Sequence, residues 1–228
     1  MEFMLDTANI KAIKELSKIF PIKGVTSNPS IIKIEGKINF FSHFREIREI
    51  IGMDKTLHIQ VIAKDCEGML KDAKAILENV DDKVCIKIPT TEEGLKAMKI
   101  LKAKGVFVTA TAIYTKMQGL LAMEVCVDFI APYFNRMENM DINPRDTITT
   151  FANLISKYNY QTKILAASFK NIAQVNDAFT CGAQTATVSP ALLHDAFKMP
   201  AIQKAVDDFG TDWEYIYGKN VSIYDLQK

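Results

Sequence analysis

Short runs of β-branched and apolar residues alternate along the chain with longer stretches whose apolar positions recur every three or four residues. These are the two periods that mark strands and helices. Residues 3–6 read as a strand, and 9–19 as a helix with Ile10, Ile13, Leu16 and Phe20 at helical spacing. Residues 24–26 form a very short strand ending in the polar turn Ser27-Asn28-Pro29, ahead of a charged helix at 40–51. A third strand at 57–62 and a helix at 67–77 follow, then a fourth strand at 84–89. Thr90 as N-cap, with Glu93 three residues on, predicts a capping box opening a helix that runs through Lys104. Gly105 stops that helix before a fifth strand at 106–111 and a helix at 114–124. The sixth strand is 129–133, Asn143-Pro144 opens a helix reaching Tyr158, and the seventh strand is 163–167 with Ser168 at its end. A helix at 171–179, closed by Gly182, precedes the eighth strand at 185–188, and Pro190 begins another helix.

Eight strands alternating with eight helices, with no shift in composition that would mark a linker, predict a single α/β domain over 1–228, a (β/α)₈ barrel. The alternative with the same alternation is a doubly wound open sheet. Past Pro200 the pattern changes to a further C-terminal helix through Ala205, Phe209 and Trp213 and an aromatic tail with Tyr215, Tyr217 and Tyr224. Residues 200–228 are expected to pack on the barrel or on a neighbouring subunit.

The fourth strand breaks its own pattern. Val84-Cys85-Ile86-Lys87-Ile88-Pro89 is apolar and β-branched except for one lysine. Alternation puts Cys85, Lys87 and Pro89 on one face and Val84, Ile86 and Ile88 on the other, so if the isoleucines pack on helices, Lys87 points into what the sheet encloses. One reading is a lysine that snorkels its ammonium to water. The other is an amine nucleophile. A free lysine is only about 0.1% neutral at pH 7.4, whereas one desolvated to a pKa of about 7 to 8 is tens of per cent neutral.

In a barrel the chemistry sits at the C-terminal strand ends. Read in order, those ends offer Asp6, Thr26 and Asn28, Gln60, Lys87, Thr109 and Thr111, Tyr133 with Arg136 just beyond, and Ser168. Each alone has an ordinary explanation as a cap, turn or strand residue. Together, a lysine, a carboxylate, amides, hydroxyls and a phenol at one rim make an imine-forming site plausible. Arg45 and Arg48 lie beside Glu46 and Glu49 on a charged helix face, and Arg145 lies in a helix's first turn. Arg136, just past a strand end, instead suits a phosphate. Ser168, ahead of a helix start, adds hydroxyl and N–H donors for the same group.

Composition narrows the classes. With 228 residues, 48% hydrophobic, and 28 basic against 27 acidic residues, the chain has a core-sized apolar content and no global field for nucleic acid or membrane. Cys66, Cys85, Cys126 and Cys181 are scattered with no C-x-x-C pair, as expected of free thiols in a reducing compartment. No basic segment precedes an apolar one at the start, and the longest apolar run, from Leu120 to Phe134, is broken by Glu124 and Asp128. A soluble cytoplasmic protein is the expectation. His43, His58 and His194 lie on different elements, which argues against a zinc lyase, and His58 reads as a packed barrel histidine. No Gly-rich nucleotide loop occurs, so no cofactor is expected.

Leu5-Asp6-Thr7, Gly24-Val25-Thr26-Ser27-Asn28-Pro29-Ser30, the Lys87 strand, Ala131-Pro132-Tyr133-Phe134-Asn135-Arg136 and Ala166-Ala167-Ser168-Phe169 resemble the motifs of the transaldolase family. Within it the chain is most similar to the short branch that contains fructose-6-phosphate aldolase, from Met1 to about Trp213. The resemblance implies a (β/α)₈ barrel, Schiff-base chemistry without metal, sugar phosphate and hydroxyketone substrates, and a decamer of two pentameric rings with exchanged C-terminal helices. It makes Lys87 the imine-forming lysine, Asp6 the carboxylate that assists proton transfer and binds substrate hydroxyls, and Asn28 a hydroxyl-binding amide. Thr111 becomes the holder of a catalytic water, and Arg136 and Ser168 the phosphate contacts. Gln60, Tyr133 and Thr109 stand where transaldolases place a glutamate, a phenylalanine and an asparagine, and all three look like the aldolase branch. The implied activity is reversible cleavage of fructose 6-phosphate to dihydroxyacetone and glyceraldehyde 3-phosphate. The alternative is a transaldolase that moves the dihydroxyacetone unit between sugar phosphates. A phosphosugar isomerase with Asp6 as base, or a catalytically silent binding protein, would be the non-aldol readings.

Overall fold

The computed structural model describes residues 1–227. Its elements run β1 (Glu2–Asp6), α1 (Ile10–Ile19), β2 (Ile22–Thr26), α2 (Pro29–Glu35), α3 (Phe40–Ile51), β3 (Thr56–Gln60), α4 (Cys66–Asn79) and β4 (Cys85–Pro89). They continue as α5 (Glu92–Ala103), β5 (Val108–Ile113), α6 (Lys116–Glu124), β6 (Phe129–Pro132), α7 (Phe134–Glu138), α8 (Pro144–Tyr158), β7 (Lys163–Ala166), α9 (Ile172–Thr180) and β8 (Thr185–Val188). Helices α10 (Pro190–Asp195) and α11 (Pro200–Tyr217) end the chain, followed by a short 3₁₀ turn at Ile223–Leu226. The eight strands are all parallel and close in sequence order, β8 pairing back onto β1, so the barrel and not the open sheet is realised.

The alternation that predicted strands also sorts the core. Outward-facing Leu5, Val25, Leu57, Ile59, Ile86, Ile88 and Val108 are fully buried, as are Ile13, Phe44, Ile47, Met98 and Phe151 on the surrounding helices. Burying each such side chain stabilises the fold by roughly 1.5–3 kcal/mol. Inside the barrel, Met4, Cys85, Phe129 and Leu165 make an apolar floor. Burial pushes the Cys85 thiol up to about 12, so it stays protonated. All four cysteines are free.

Three local expectations are corrected. The N-cap of α5 is Thr91, whose hydroxyl accepts from Gly94 N; Thr90 instead donates its hydroxyl to Thr111 O, and Glu93 accepts from Cys66 N. The sheet pairing of Thr90 to β5 competes for that residue and wins. Gly94 then packs so close behind β4 that a Cβ there would lie 1.9 Å from Pro89 O. Two helices escaped the pattern, α2 and α7, because each is short and opens within a strand-end motif. Arg48 is not a surface partner of the neighbouring glutamates. It is buried, with Nε 2.7 Å from Asp81 Oδ2, and its Nη1 donates to Gly52 O and Lys55 O at 3.1 and 2.7 Å.

The chain divides into a barrel unit, Met1–Pro190, and a unit that begins at Ala191. Within the latter, α11 carries Ile202, Val206, Phe209 and Trp213 at helical spacing as one apolar stripe. Trp213 Nε1 donates to Val221 O, and the Trp213 and Tyr217 rings stack at 4.3 Å. Among the described residues no helix is long and apolar enough to cross a membrane.

Replacing Arg48 with Met leaves Asp81 and two backbone carbonyls without their buried partner. The expected loss is about 3 kcal/mol of unfolding free energy, read from the denaturant midpoint; an unchanged midpoint would contradict the assigned role of this ion pair.

Candidate active site

Lys87 lies inside the barrel at the middle of β4, flanked in register by Gln60 on β3 and Thr109 on β5. It is 4% exposed, and its Nζ donates to Ser27 O at 2.8 Å. Burial lowers the pKa of its amine; the nearby Asp6 carboxylate opposes that shift. Its Nζ is buried against Ser27 O and does not reach bulk water, so the snorkelling reading does not describe this lysine, and the lowered pKa favours the form that is nucleophilic toward a carbonyl carbon.

Asp6 ends β1 and accepts a 2.8 Å hydrogen bond from the Thr26 hydroxyl on β2, its register partner. Burial raises the Asp6 pKa, and Lys87, the Thr26 bond and Arg136 act against it. A carboxyl balanced in this way is suited to gaining and losing a proton.

A cavity of about 370 Å³ opens at the C-terminal strand ends and is lined by Asp6, Asn28, Lys87, Tyr133, Arg136 and Ser168 among the residues the sequence singled out. Asn28 also caps α2, its side chain accepting from Ile31 N. Tyr133 leads from β6 into α7, and its phenol shares a 2.9 Å hydrogen bond with the Thr111 hydroxyl. Burial raises its pKa, so it stays a neutral phenol that can donate. Arg136, in the first turn of α7, lies with its guanidinium 4.8 Å from the centroid of the Tyr133 ring. Backbone bonds from Phe134 N to Ala167 O and Asn135 N to Ser168 O fix α7 against the end of β7. Ser168 sits at φ +64°, a left-handed turn that carries the chain over the mouth.

Four predicted site residues do not line this cavity. Thr26 is fully buried behind Asp6. Thr111 is fully buried and hydrogen-bonded to Tyr133, and the turn after it is held by Gln118, whose Nε2 donates to Thr90 O and Ala112 O. Gln60 lines a neighbouring apolar hollow of about 340 Å³ with Pro29, Ile32, Phe40 and Phe41. Its Oε1 is buried and has no hydrogen-bond partner among the described residues, an acceptor that a bound donor would satisfy. Thr109 lies beneath, hydrogen-bonded to His58 Nδ1 at 2.9 Å, while His58 Nε2 meets the Thr56 hydroxyl at the same distance. Burial drives the His58 pKa down to about 3, and Lys87 reinforces that shift, so the ring is neutral. It is the packed barrel histidine its position predicted.

Sequence reasoning missed Tyr114, Lys170 and Thr187. Tyr114 OH accepts from Arg136 Nη1 at 3.2 Å, and its ring stands edge-on to Tyr133. Lys170 and Thr187 line the cavity, the former bringing a second basic side chain to it in addition to Arg136. The available signals were an aromatic just past β5, a lysine two residues beyond Ser168, and the inward phase of Thr187 on β8. Among the described residues no group of three or more His, Cys, Asp and Glu could hold a metal ion.

Comparison with known proteins matches residues 3–221 to the family described as Transaldolase/Fructose-6-phosphate aldolase. A curated relative from Streptococcus pneumoniae (strain ATCC 700669 / Spain 23F-1), named probable fructose-6-phosphate aldolase, is 53% identical over 213 residues, 93% of this chain and 96% of the relative.

Because the Asp6 carboxylate favours the ammonium form of Lys87, Asp6→Asn should lower the lysine's pKa further. Borohydride trapping of a ketone, followed against pH, should then persist to lower pH in the variant than in the wild type. A displacement toward higher pH would contradict the assigned electrostatics.

Proposed function

The chain belongs to the transaldolase/fructose-6-phosphate aldolase family, and from that premise we propose that it is a Schiff-base aldolase. Its proposed reaction is the reversible cleavage of fructose 6-phosphate to dihydroxyacetone and glyceraldehyde 3-phosphate. The observation that carries this reading is Lys87, a desolvated amine in the wall of a cavity that holds a carboxyl beside it and two cationic side chains. The relative's name supports the substrate class.

Neutral Lys87 attacks the C2 carbonyl, and loss of water from the carbinolamine gives an iminium. Asp6 is the base that ends protonated when the C4 hydroxyl gives up its proton and the C3–C4 bond breaks. The bonding pair moves toward the iminium nitrogen, glyceraldehyde 3-phosphate leaves with its new C4 carbonyl, and an enamine remains on Lys87. Protonation of C3 and hydrolysis release dihydroxyacetone. The neutral phenol of Tyr133, held by Thr111, positions the water that carries this proton. Asn28 binds a substrate hydroxyl. Arg136, with Ser168 and Lys170, binds the phosphate, and Tyr114 holds the guanidinium in place.

The protein is further proposed to work in the cytoplasm as a homo-oligomer, with residues 200–228 packing on a neighbouring subunit. The apolar stripe of Ile202, Val206, Phe209 and Trp213 supports this, since such a face is stable when another apolar surface covers it. By analogy with the short branch of the family, the assembly is two pentameric rings. Light scattering on the full chain should give a decameric mass; a monomer would contradict the assembly.

Arg136→Ala should raise KM for fructose 6-phosphate by roughly 10- to 100-fold, the worth of a charge-assisted contact. Borohydride trapping of unphosphorylated dihydroxyacetone on Lys87 should be unchanged. Equal losses with both ketones would contradict a phosphate role for Arg136.

A further inference from the structure

Thr26 carries one hydroxyl proton and stands between two oxygen atoms. Its Oγ1 lies 2.8 Å from Asp6 Oδ1 and 2.6 Å from Thr187 Oγ1. An ionised carboxylate only accepts. While Asp6 is ionised, the Thr26 proton therefore points to Asp6, and the proton between the two threonines belongs to Thr187. That leaves Thr187 with only lone pairs to offer the cavity it lines. The group that best meets it there is a ligand hydroxyl, donating.

The three groups come from three adjacent strands, Thr187 from β8, Asp6 from β1 and Thr26 from β2, and the barrel fixes their spacing. Thr26 is fully buried and Thr187 is 3% exposed, so water does not compete along the line. The line runs from the Asp6 carboxyl through buried Thr26 to Thr187, and both of its ends border the cavity.

Resting on the aldolase reading above, we propose that Thr187 is a further catalytic residue, the cavity-facing end of a hydroxyl relay to Asp6. Thr187 accepts the hydrogen bond of the substrate's C4 hydroxyl. On cleavage that proton passes to Thr187 Oγ1 as the Thr187 proton passes to Thr26 and the Thr26 proton to Asp6 Oδ1. Three O–H bonds break and three form. The C3–C4 pair goes to the iminium nitrogen, C4 becomes a carbonyl, and Asp6 ends as the neutral acid. Only hydroxyl protons move, and the three hydrogen bonds then run the other way. In synthesis the same line returns the proton to the oxygen of the incoming aldehyde.

The relay also fixes specificity. An aldehyde product always leaves with the oxygen that gave up its proton, so Thr187 recognises the hydroxyl of the bond being cleaved and not the phosphate or the donor ketone.

The test uses the full-length protein and fructose 6-phosphate. Thr187→Val removes the hydroxyl at nearly constant shape, and should lower single-turnover cleavage roughly 100-fold, the scale of general acid–base catalysis. Borohydride trapping of dihydroxyacetone on Lys87 should be unaffected, which also shows that the variant is folded. Thr187→Ser should restore most of the rate, and Thr26→Val, outside the cavity, should slow cleavage as Thr187→Val does. Wild-type single-turnover rates in H₂O/D₂O mixtures should depend on deuterium content with the curvature of several moving protons. Wild-type cleavage rates in Thr187→Val, a fast Thr26→Val beside a slow Thr187→Val, or a linear one-proton dependence in the wild type would each overturn the relay and leave the aldolase reading intact. A wild-type protein that traps ketone without cleaving fructose 6-phosphate would overturn both.

Discussion

Everything at the top of this barrel depends on holding one amine out of water. Each unit by which a pKa falls corresponds to about 1.36 kcal/mol of disfavoured charge, and the fold supplies that cost through the apolar packing of its strands on their helices. The β4 residues Ile86 and Ile88 face outward into that packing and turn Lys87 inward. Ser27 O takes one of its N–H bonds, and the Asp6 carboxylate works to keep it charged. The amine is thus oriented without being locked as an ammonium.

In the interior below, His58 and Cys85 are both held neutral by burial. The floor of Met4, Cys85, Phe129 and Leu165 is apolar, and the layer above it satisfies neutral His58 with the hydroxyls of Thr109 and Thr56. A neutral imidazole adds no second cation beneath the lysine, so the depression of Lys87 comes from burial. The cations that the cavity does contain, Arg136 and Lys170, stand on the elements that follow β6 and β7, where a phosphate would meet them at the rim.

Much of this was legible in the amino-acid pattern because it follows from strong physical contrasts. The alternation of period two and period 3.6 marked the strands and helices, and a single lysine among β-branched residues announced itself. Asp6, Asn28, Tyr133, Arg136 and Ser168 were found because barrel topology gathers strand ends on one face. What stayed hidden depends on three-dimensional competition. Thr90 against Thr91 as a cap was decided by a backbone bond to Thr111, and Arg48 is buried through Asp81, a residue 33 positions away. Thr187 reads as an ordinary strand threonine until Thr26 and Asp6 are placed beside it. Gln60 and Thr109, read as rim residues, sit to the side of the cavity and below it, a distinction that alternation alone does not draw.

The most direct test of the central claim is turnover of fructose 6-phosphate with and without erythrose 4-phosphate, assaying free dihydroxyacetone, glyceraldehyde 3-phosphate and sedoheptulose 7-phosphate separately. The account predicts cleavage without any acceptor, releasing free dihydroxyacetone and glyceraldehyde 3-phosphate. Turnover only with the acceptor, yielding sedoheptulose 7-phosphate and no free dihydroxyacetone, would contradict it and make the protein a transaldolase.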